Sequence, residues 1–234
     1  MEAVALRLGW VTSAQDDQAV TLLRHALRAF HDDPRLQITS ICIVSPRKHD
    51  GPATEINNLA RSEQIPVDWI EPPTKEERIS DRGSDVGRED WRAKFEERMI
   101  DTIAHCELSF LMLAGYMLIA GPVLLNRYRM LNLHPGLPGG PTGSRREVIK
   151  ALVLEQPRTF GAMVHQVTAE LDAGPPIAVV EIPMSRANSV EGNDRGSDEL
   201  FSCIEHLIMD SEPELVVQAL TKVLDDSFPW ATKE

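Results

Sequence analysis

The chain has few cysteines and none of the short motifs that mark common nucleotide-binding and hydrolytic sites. Its three cysteines, Cys42, Cys106 and Cys203, are odd in number and lack metal-ligand spacing, which predicts buried, reduced thiols in a cytoplasmic protein. The Gly-rich segment 136–143 has neither a P-loop ending nor the Gly-x-Gly-x-x-Gly of a dinucleotide site. The sequence has no Gly-x-Ser-x-Gly elbow, which argues against a serine hydrolase. No two histidines have helical ligand spacing, so a metal site has little support.

Positive charge and membrane-directed segments are also scarce. The formal net charge of −12 disfavours nucleic acid and anionic membranes as partners, although Arg145 and Arg146 form a candidate basic patch. Arg7 interrupts the first apolar run and no small-residue cleavage site follows it, so we expect no signal peptide. The apolar run 108–125 contains glycines and a proline, which favours a buried strand, a turn and a helix start over a membrane span.

What the sequence does contain is an alternation of strand and helix patterns. This alternation predicts an α/β fold with a mostly parallel sheet and right-handed crossovers. The two polar stretches, 71–90 and 185–198, are predicted to be loops. Strands are predicted at 4–11, 38–44, 67–70, 108–113, 130–134, 160–167 and 177–182, and helices at 17–30, 54–62, 91–103, 122–128, 145–154 and 199–224, the last as two helices broken near Pro213.

The most informative segment is 131–136, in which Asn132 and His134 are two residues apart in a short predicted strand. Side chains at such spacing point to the same face of a strand, so the amide and the ring should project side by side. Pro135 cannot donate to a strand ladder, which places His134 at the strand end, where open α/β sheets bind ligands. We expect Asp172, which precedes the tight turn 174–176, to reach the same crevice. His165 could line it too, although a structural histidine is the simpler interpretation of that residue.

These residues resemble the folate-dependent formyltransferases, and most closely the branch of purine synthesis that formylates glycinamide ribonucleotide. The similarity is carried, in order, by an Ala-Gly-Tyr-Met element, an Asn-x-His-Pro strand, a following Gly, a Val-His-x-Val strand and an Asp-x-Gly-Pro turn. These motifs are matched here by 114–117, 132–135, Gly143, 164–167 and 172–175.

The resemblance implies a single domain over 1–234 with a Rossmann-like three-layer fold, a mostly parallel twisted sheet flanked by helices. Its half 1–106 would carry the acceptor site, and its half 107–234 would carry the folate and catalytic sites. The formyl donor would be 10-formyltetrahydrofolate, and the catalytic trio would be Asn132, His134 and Asp172. The folate-binding residues would be Tyr116, Met117, Leu118, Ile119, Ala120, Val167, Thr168, Glu170 and Leu171.

The chemistry implied is attack by a neutral amine on the formyl carbon, which gives a tetrahedral oxyanion. The Asn132 amide would donate to that oxygen, and one such donor is worth about 3 kcal/mol in comparable sites. His134 would donate to the same oxygen and move the proton from the amine to the leaving nitrogen, an effect of roughly 10²–10⁴-fold. Asp172 would favour the protonated imidazole, and no metal would be required.

The acceptor side departs from the family. Where related enzymes have a Gly-rich phosphate loop, this chain has Thr12, Ser13, Asp16 and Asp17 as its candidate acceptor residues, and Glu212 has lost the histidine that usually follows it. Two carboxylates would repel a phosphate, which favours a cationic or neutral amine such as an amino sugar, unless the aspartates only cap the next helix. Glycinamide ribonucleotide remains the best-supported named acceptor because of the overall resemblance.

Two other functions remain open. Water could replace the amine, which would make the protein a 10-formyltetrahydrofolate hydrolase that releases formate. The altered N-terminal loop also permits a folate-binding module without catalysis, although the complete trio argues against it. In each case we expect small-molecule partners, no nucleic acid or membrane, and a monomer or homodimer.

Overall fold

The computed structural model of the protein describes residues 5–46, 51–74, 85–188, 197–225 and 230. The strands are β1 (Leu6–Thr12), β2 (Leu36–Val44), β3 (Val67–Ile70), β4 (Phe110–Leu113), β5 (Met130–His134), β6 (Thr159–Gln166) and β7 (Pro176–Pro183). The helices are α1 (Asp17–Ala29), α2 (Gly51–Ser62), α3 (Asp85–Ile103), α4 (Pro122–Arg127), α5 (Arg145–Glu155), α6 (Met184–Asn188) and α7 (Ser197–Leu224), and a 3₁₀ turn at Ala104–Cys106 follows α3.

The chain divides into two compact units, Met1–Leu131 with Thr232–Glu234, and Asn132–Ala231. In the first unit the strand order is β3-β2-β1-β4, and all the neighbouring strands are parallel. In the second unit the order is β5-β6-β7, with β7 antiparallel to β6. These pairings confirm the predicted α/β class with a mostly parallel sheet, and each predicted strand is present with ends shifted by at most two residues.

The first unit is built on strands that are buried on both faces. β4 is entirely buried, as expected for a central parallel strand, and the apolar stripe of α1 is buried through Val20, Leu23 and Ala26. Asp16 caps α1, because its side chain accepts a hydrogen bond from the Ala19 N–H. This packing fixes the turn between β1 and α1 at the carboxyl end of β1.

The second unit packs α7 against β6, β7 and α5. Helix α5 begins with a capping box in which the Ser144 hydroxyl accepts from the Glu147 N–H and the Glu147 carboxylate accepts from the Ser144 N–H. A side chain at Gly161 in β6 would place its Cβ 1.8 Å from the Val180 carbonyl oxygen, so the close approach of β7 requires glycine there.

Three predictions about polar and helical segments were wrong in part. Helix α3 begins at Asp85, inside the predicted loop 71–90, although residues 85–90 include a glycine and other weak helix formers. Helices α6 and α7 likewise take up both ends of the predicted loop 185–198. The remaining parts of these two predictions, 75–84 and 189–196, lie outside the described residues.

Helix α7 is continuous through Pro213, whereas two helices were predicted there. Proline in a helix interior costs about 3 kcal/mol because it removes one hydrogen bond and clashes with the preceding turn. The burial of Ile208, Leu215 and Val216 on either side offsets that cost, so tertiary packing overrides the local signal.

The prediction of buried thiols is correct for two of the three cysteines and wrong for the third. Cys42 and Cys106 are buried and Cys203 is partly exposed, and all three are free thiols. Within the described residues, every helix is too short or too polar to cross a bilayer.

Candidate active site

Asn132 and His134 are presented by β5 within the second unit. The strand is almost wholly buried, and His134 is only 2% exposed whereas Asn132 is half-buried. An apolar strand forces any polar side chain on it to find partners within the protein, since an unsatisfied polar group in such surroundings is costly. The partners of these two side chains therefore define the site.

Both ring nitrogens of His134 face oxygen atoms. Nε2 lies 3.0 Å from the Pro141 carbonyl oxygen, and Nδ1 lies 3.5 Å from Asp172 Oδ2. A carbonyl oxygen only accepts hydrogen bonds, so Nε2 carries a proton and donates it to Pro141. The lack of a side chain at Gly136 permits this contact, because a Cβ there would lie 2.7 Å from Nε2 and 3.0 Å from the Pro141 oxygen.

The Asp172 carboxylate lies between two histidine rings and is 7% exposed. Besides its contact with His134, it has Oδ1 3.8 Å from His165 Nε2, and Oδ2 accepts from the Gly143 N–H at 3.1 Å. Its backbone has a φ of 53°, a left-handed conformation that non-glycine residues rarely adopt. Gly174 closes the turn, because a Cβ there would lie 1.8 Å from the Gln166 carbonyl oxygen.

His165 completes the group, although the sequence favoured a structural role for it. Its Nε2 accepts a hydrogen bond from Asn132 Nδ2 at 3.2 Å, and its Nδ1 donates to the Gln166 carbonyl oxygen at 2.9 Å. Burial lowers the pKa of His165, while the Gln166 carbonyl and the Asp172 carboxylate partly oppose that shift. The ring is therefore neutral, and it holds the Asn132 amide in a fixed orientation.

The structure thus brings together the three predicted catalytic residues and a fourth that sequence reasoning did not select. The His134 and His165 rings meet edge to face, with centroids 6.4 Å apart. The contact between His165 and Asn132 could be predicted only from knowing that β6 lies beside β5 in the sheet. The spacing of the two residues in the sequence does not indicate it.

The predicted folate-binding residues fall on two loops, one in each unit. In the first unit, Met117 and Ile119 are each 51% exposed, and the Met117 N–H donates to the Ser13 hydroxyl at 3.1 Å. The buried Glu96 carboxylate accepts from the backbone N–H groups of Gly121 and Leu124, which fixes the end of this loop at the start of α4. Tyr116, Leu118 and Ala120 are half-buried in the same loop.

In the second unit the predicted folate-binding residues follow β6. Val167 and Thr168 are half-buried, and Glu170 and Leu171 are exposed. The Thr168 hydroxyl donates to the Glu170 carbonyl oxygen at 3.2 Å, which shapes the turn that leads to Asp172. These residues thus directly precede Asp172 in the chain.

Four of the predicted acceptor residues lie from the end of β1 to the start of α1 in the first unit, and the fifth, Glu212, lies on α7 in the second. Thr12 and Ser13 are buried at the carboxyl end of β1, while Asp16 and Asp17 are exposed at the start of α1. Asp16 serves as the helix cap, which is the role that the sequence left open as an alternative. In the second unit, Glu212 is buried and its carboxylate accepts from Arg145 at 3.1 Å.

A comparison with protein families settles the relationship suggested by this geometry. Residues 23–198, most of the chain, match the sequence model of the family described as formyl transferase. The chain belongs to the formyl transferase family. The matched range includes all four polar residues of the site.

Two curated relatives of this formyl transferase come from yeasts. The phosphoribosylglycinamide formyltransferase of Schizosaccharomyces pombe is 31% identical over 150 residues, which cover 61% of this chain and 67% of the relative. The enzyme of the same name from Saccharomyces cerevisiae is 29% identical over 140 residues, covering 57% of this chain and 61% of the relative.

Solved structures confirm the fold. Glycinamide ribonucleotide transformylase 1 from Geobacillus kaustophilus has a TM-score of 0.68 at 22% identity, covering 94% of this chain and 99% of its own. A formyltetrahydrofolate deformylase from Pseudomonas syringae pv. tomato has a TM-score of 0.71 at 18% identity, covering 98% of this chain and 64% of its own. At these identities the likeness establishes the Rossmann-like formyltransferase fold.

Proposed function

We propose that this formyl transferase moves a formyl group from 10-formyltetrahydrofolate to a primary amine, either of the glycinamide ribonucleotide type or a divergent one. The observation that carries the proposal is the convergence of Asn132, His134 and Asp172 in the second unit. His165 lies between Asn132, with which it makes a hydrogen bond, and the Asp172 carboxylate, 3.8 Å away. The names of the yeast relatives support phosphoribosylglycinamide as the first acceptor to test.

In the first chemical step the neutral amine attacks the formyl carbon, and the carbonyl oxygen becomes an oxyanion. The Asn132 amide has two N–H groups, of which one donates to His165 and the other is left to donate to the oxyanion. A donor held in place before the reaction stabilises the developing charge by about 3 kcal/mol in comparable acyl-transfer sites. His165 therefore acts as a positioning residue, since it touches Asn132.

In the second step the amine loses a proton and the folate nitrogen gains one as the carbon–nitrogen bond to folate breaks. His134 suits this transfer, because an imidazole has one nitrogen that can accept a proton and one that can donate a proton, and the Asp172 carboxylate lies 3.5 Å from Nδ1 and orients the ring. To reach a substrate atom, Nε2 must exchange the Pro141 carbonyl for the substrate. No metal takes part in the steps proposed.

The remaining contacts belong to the same proposal. The loops 116–120 and 167–171 would hold the folate, while Thr12, Ser13, Asp16, Asp17 and Glu212 would face the acceptor. Because Asp16 caps α1 and Glu212 is paired with Arg145, these two carboxylates would act on the acceptor mainly through their field. We also propose a cytoplasmic protein, monomeric or homodimeric, with the halves 1–106 and 107–234 serving acceptor and donor.

One assay separates the candidate functions. The protein is incubated with 10-formyltetrahydrofolate, alone and with phosphoribosylglycinamide or an amino sugar, and tetrahydrofolate and formate are followed. Tetrahydrofolate that forms only with amine supports the transferase and identifies the acceptor. Formate that forms without amine would instead show a hydrolase. If neither tetrahydrofolate nor formate forms, the protein is a folate-binding module without catalysis.

The roles of the trio can be tested by substitution. We expect Asn132→Ala and His134→Ala each to lower kcat at least 100-fold, in keeping with the size of oxyanion and general-acid effects, while folate binding measured by fluorescence titration survives. His206→Ala is the matched control, because its ring lies on the exposed side of α7 with Nδ1 donating to the Ser202 carbonyl oxygen. Strong turnover in either trio variant would contradict these roles.

A further inference from the structure

Three metal-ligating side chains, none of them a residue of the candidate active site, meet in the first unit. Asp68 is on β3, and His105 and Cys106 are in the 3₁₀ turn that follows α3. One oxygen, one nitrogen and one sulfur atom from these residues lie within 4.8 Å of one another. Carboxylate, imidazole and thiolate are the three ligand types that zinc uses in proteins.

The orientation of His105 suits a metal ligand. Its Nδ1 donates to the Thr102 carbonyl oxygen at 2.9 Å, so the neutral ring carries its proton on Nδ1 and leaves a lone pair on Nε2. Metal-bound histidines have this arrangement, in which a backbone carbonyl fixes the ring and makes the ligating nitrogen more basic. The ring itself is exposed, so it can tilt towards a cation without disturbing the core.

One oxygen of the Asp68 carboxylate is left without a hydrogen bond in the described part of the chain. Its Oδ2 is buried and makes no hydrogen bond among the described residues. A buried carboxylate oxygen without a partner costs free energy, and a bound cation would remove that cost.

A cleft gives access to this cluster. Its volume is about 550 Å³, and its walls include His105, Cys106, Pro66 and Thr39. It lies at the amino ends of β1 to β4, whereas Ser13 and Met117 follow the carboxyl ends of β1 and β4. Arg7 Nε donates to the Cys106 carbonyl oxygen at 3.0 Å, which fixes the backbone that carries the thiol.

From this juxtaposition we propose that Asp68, His105 and Cys106 form a binding site for a divalent transition-metal cation of the zinc type, with its fourth position open to the cleft. The Cys106 thiol releases its proton to solvent as sulfur binds the metal, while Asp68 and His105 Nε2 bind without losing one. Ligand atoms around tetrahedral zinc are roughly 3.5 Å apart, so the side chains need to close by about 1 Å. Sequence spacing gave no sign of the site because its ligands come from two separate segments.

The test uses the full-length protein stripped with a chelator and then titrated with Co²⁺ and with Zn²⁺. We expect one ion per chain and a near-ultraviolet band of thiolate-to-cobalt charge transfer. Cys106→Ser should abolish the band, while His105→Gln and Asp68→Asn should raise the Kd for Zn²⁺ more than tenfold. Cys203→Ser and His206→Gln are the matched controls, and His206 has the same Nδ1-to-carbonyl arrangement without the other ligands.

A second readout covers a Cys106 variant that fails to fold. Zn²⁺ should raise the thermal midpoint of the wild type, since a ligand of the native state stabilises it, and His105→Gln should lose that increase. The exposed position of His105 makes this variant safe for folding. The proposal is overturned if the wild type shows no cobalt band, or if the three ligand variants bind Zn²⁺ as tightly as the controls.

Discussion

His165 shows how a single side chain can depend on its neighbours more than on its own sequence context. It is 2% exposed, it accepts from Asn132, and burial lowers its pKa. In the unfolded chain His165 is not buried, so its imidazole takes up a proton at a higher pH than in the native protein. The native state therefore loses stability relative to the unfolded state as the pH falls below about 6.5.

We expect this loss to disappear in His165→Gln, whose amide can still accept from Asn132 but does not titrate. The free energy of unfolding of the wild type minus that of the variant should decrease as the pH is lowered from about 6.5, by up to 1.4 kcal/mol for each unit of pKa shift. Urea unfolding across this pH range gives the difference. The same measurement on His206→Gln serves as the control, and a difference for His165→Gln that is independent of pH would contradict the assignment.

The residue scale also shows where sequence reasoning succeeded and where it failed. Asn132 and His134 were predictable, because an apolar strand followed by proline and a spacing of two fix their common direction. The contact of Asp172 with His134 followed from the family resemblance, since nothing in the local sequence places that turn beside β5. His165 was considered as a lining residue but ranked as structural, because its contact with Asn132 depends on strand pairing, which a single sequence does not encode locally.

At the scale of the element, α7 is the clearest conflict between local preference and packing. The helix continues through Pro213 because its buried residues contact β6, β7 and α5. The predictions for α1, α2, α4 and α5 agreed with the structure to within three residues, since each has an apolar stripe, a cap or a proline at its start. Local signals therefore located most helices, and failed where tertiary contacts dominate.

Pro213→Ala should stabilise the protein. The alanine restores a backbone N–H to the helix and improves helix propensity, while the added freedom of the unfolded chain offsets less than 1 kcal/mol of the gain. We expect a net increase of about 1–2 kcal/mol in the free energy of unfolding, measured by urea denaturation. Gln218→Ala, an exposed change on the same helix, should stay within about 0.5 kcal/mol of the wild type. A less stable Pro213→Ala would show that proline is required at this position.

At the scale of the whole molecule, charge decides which partners are attracted. The chain has 36 acidic and 24 basic residues, so its long-range field repels polyanions. The candidate basic patch is smaller than the sequence suggested, because the Arg145 guanidinium is directed to the buried Glu212. Of the two arginines that define the patch, Arg146 is the one that is not directed to Glu212.

We therefore expect no binding to labelled RNA or to vesicles of anionic lipid at physiological salt. Fluorescence anisotropy and vesicle co-sedimentation are the measurements, and a known RNA-binding domain provides the positive control. Binding that Arg146→Glu abolishes would contradict the prediction and would show that a local patch overcomes the net charge.

The Pro141 carbonyl has a consequence for how the enzyme rests between turnovers. In the proposed mechanism His134 transfers a proton, but its ring already donates to the Pro141 carbonyl, so an incoming molecule must displace that internal acceptor before it can react. Such an exchange costs only about 1 kcal/mol, which a folded loop and a well-anchored ligand easily supply. A stray water molecule has no anchoring of that kind. In the proposed mechanism this contact would disfavour the loss of the formyl group to water between turnovers.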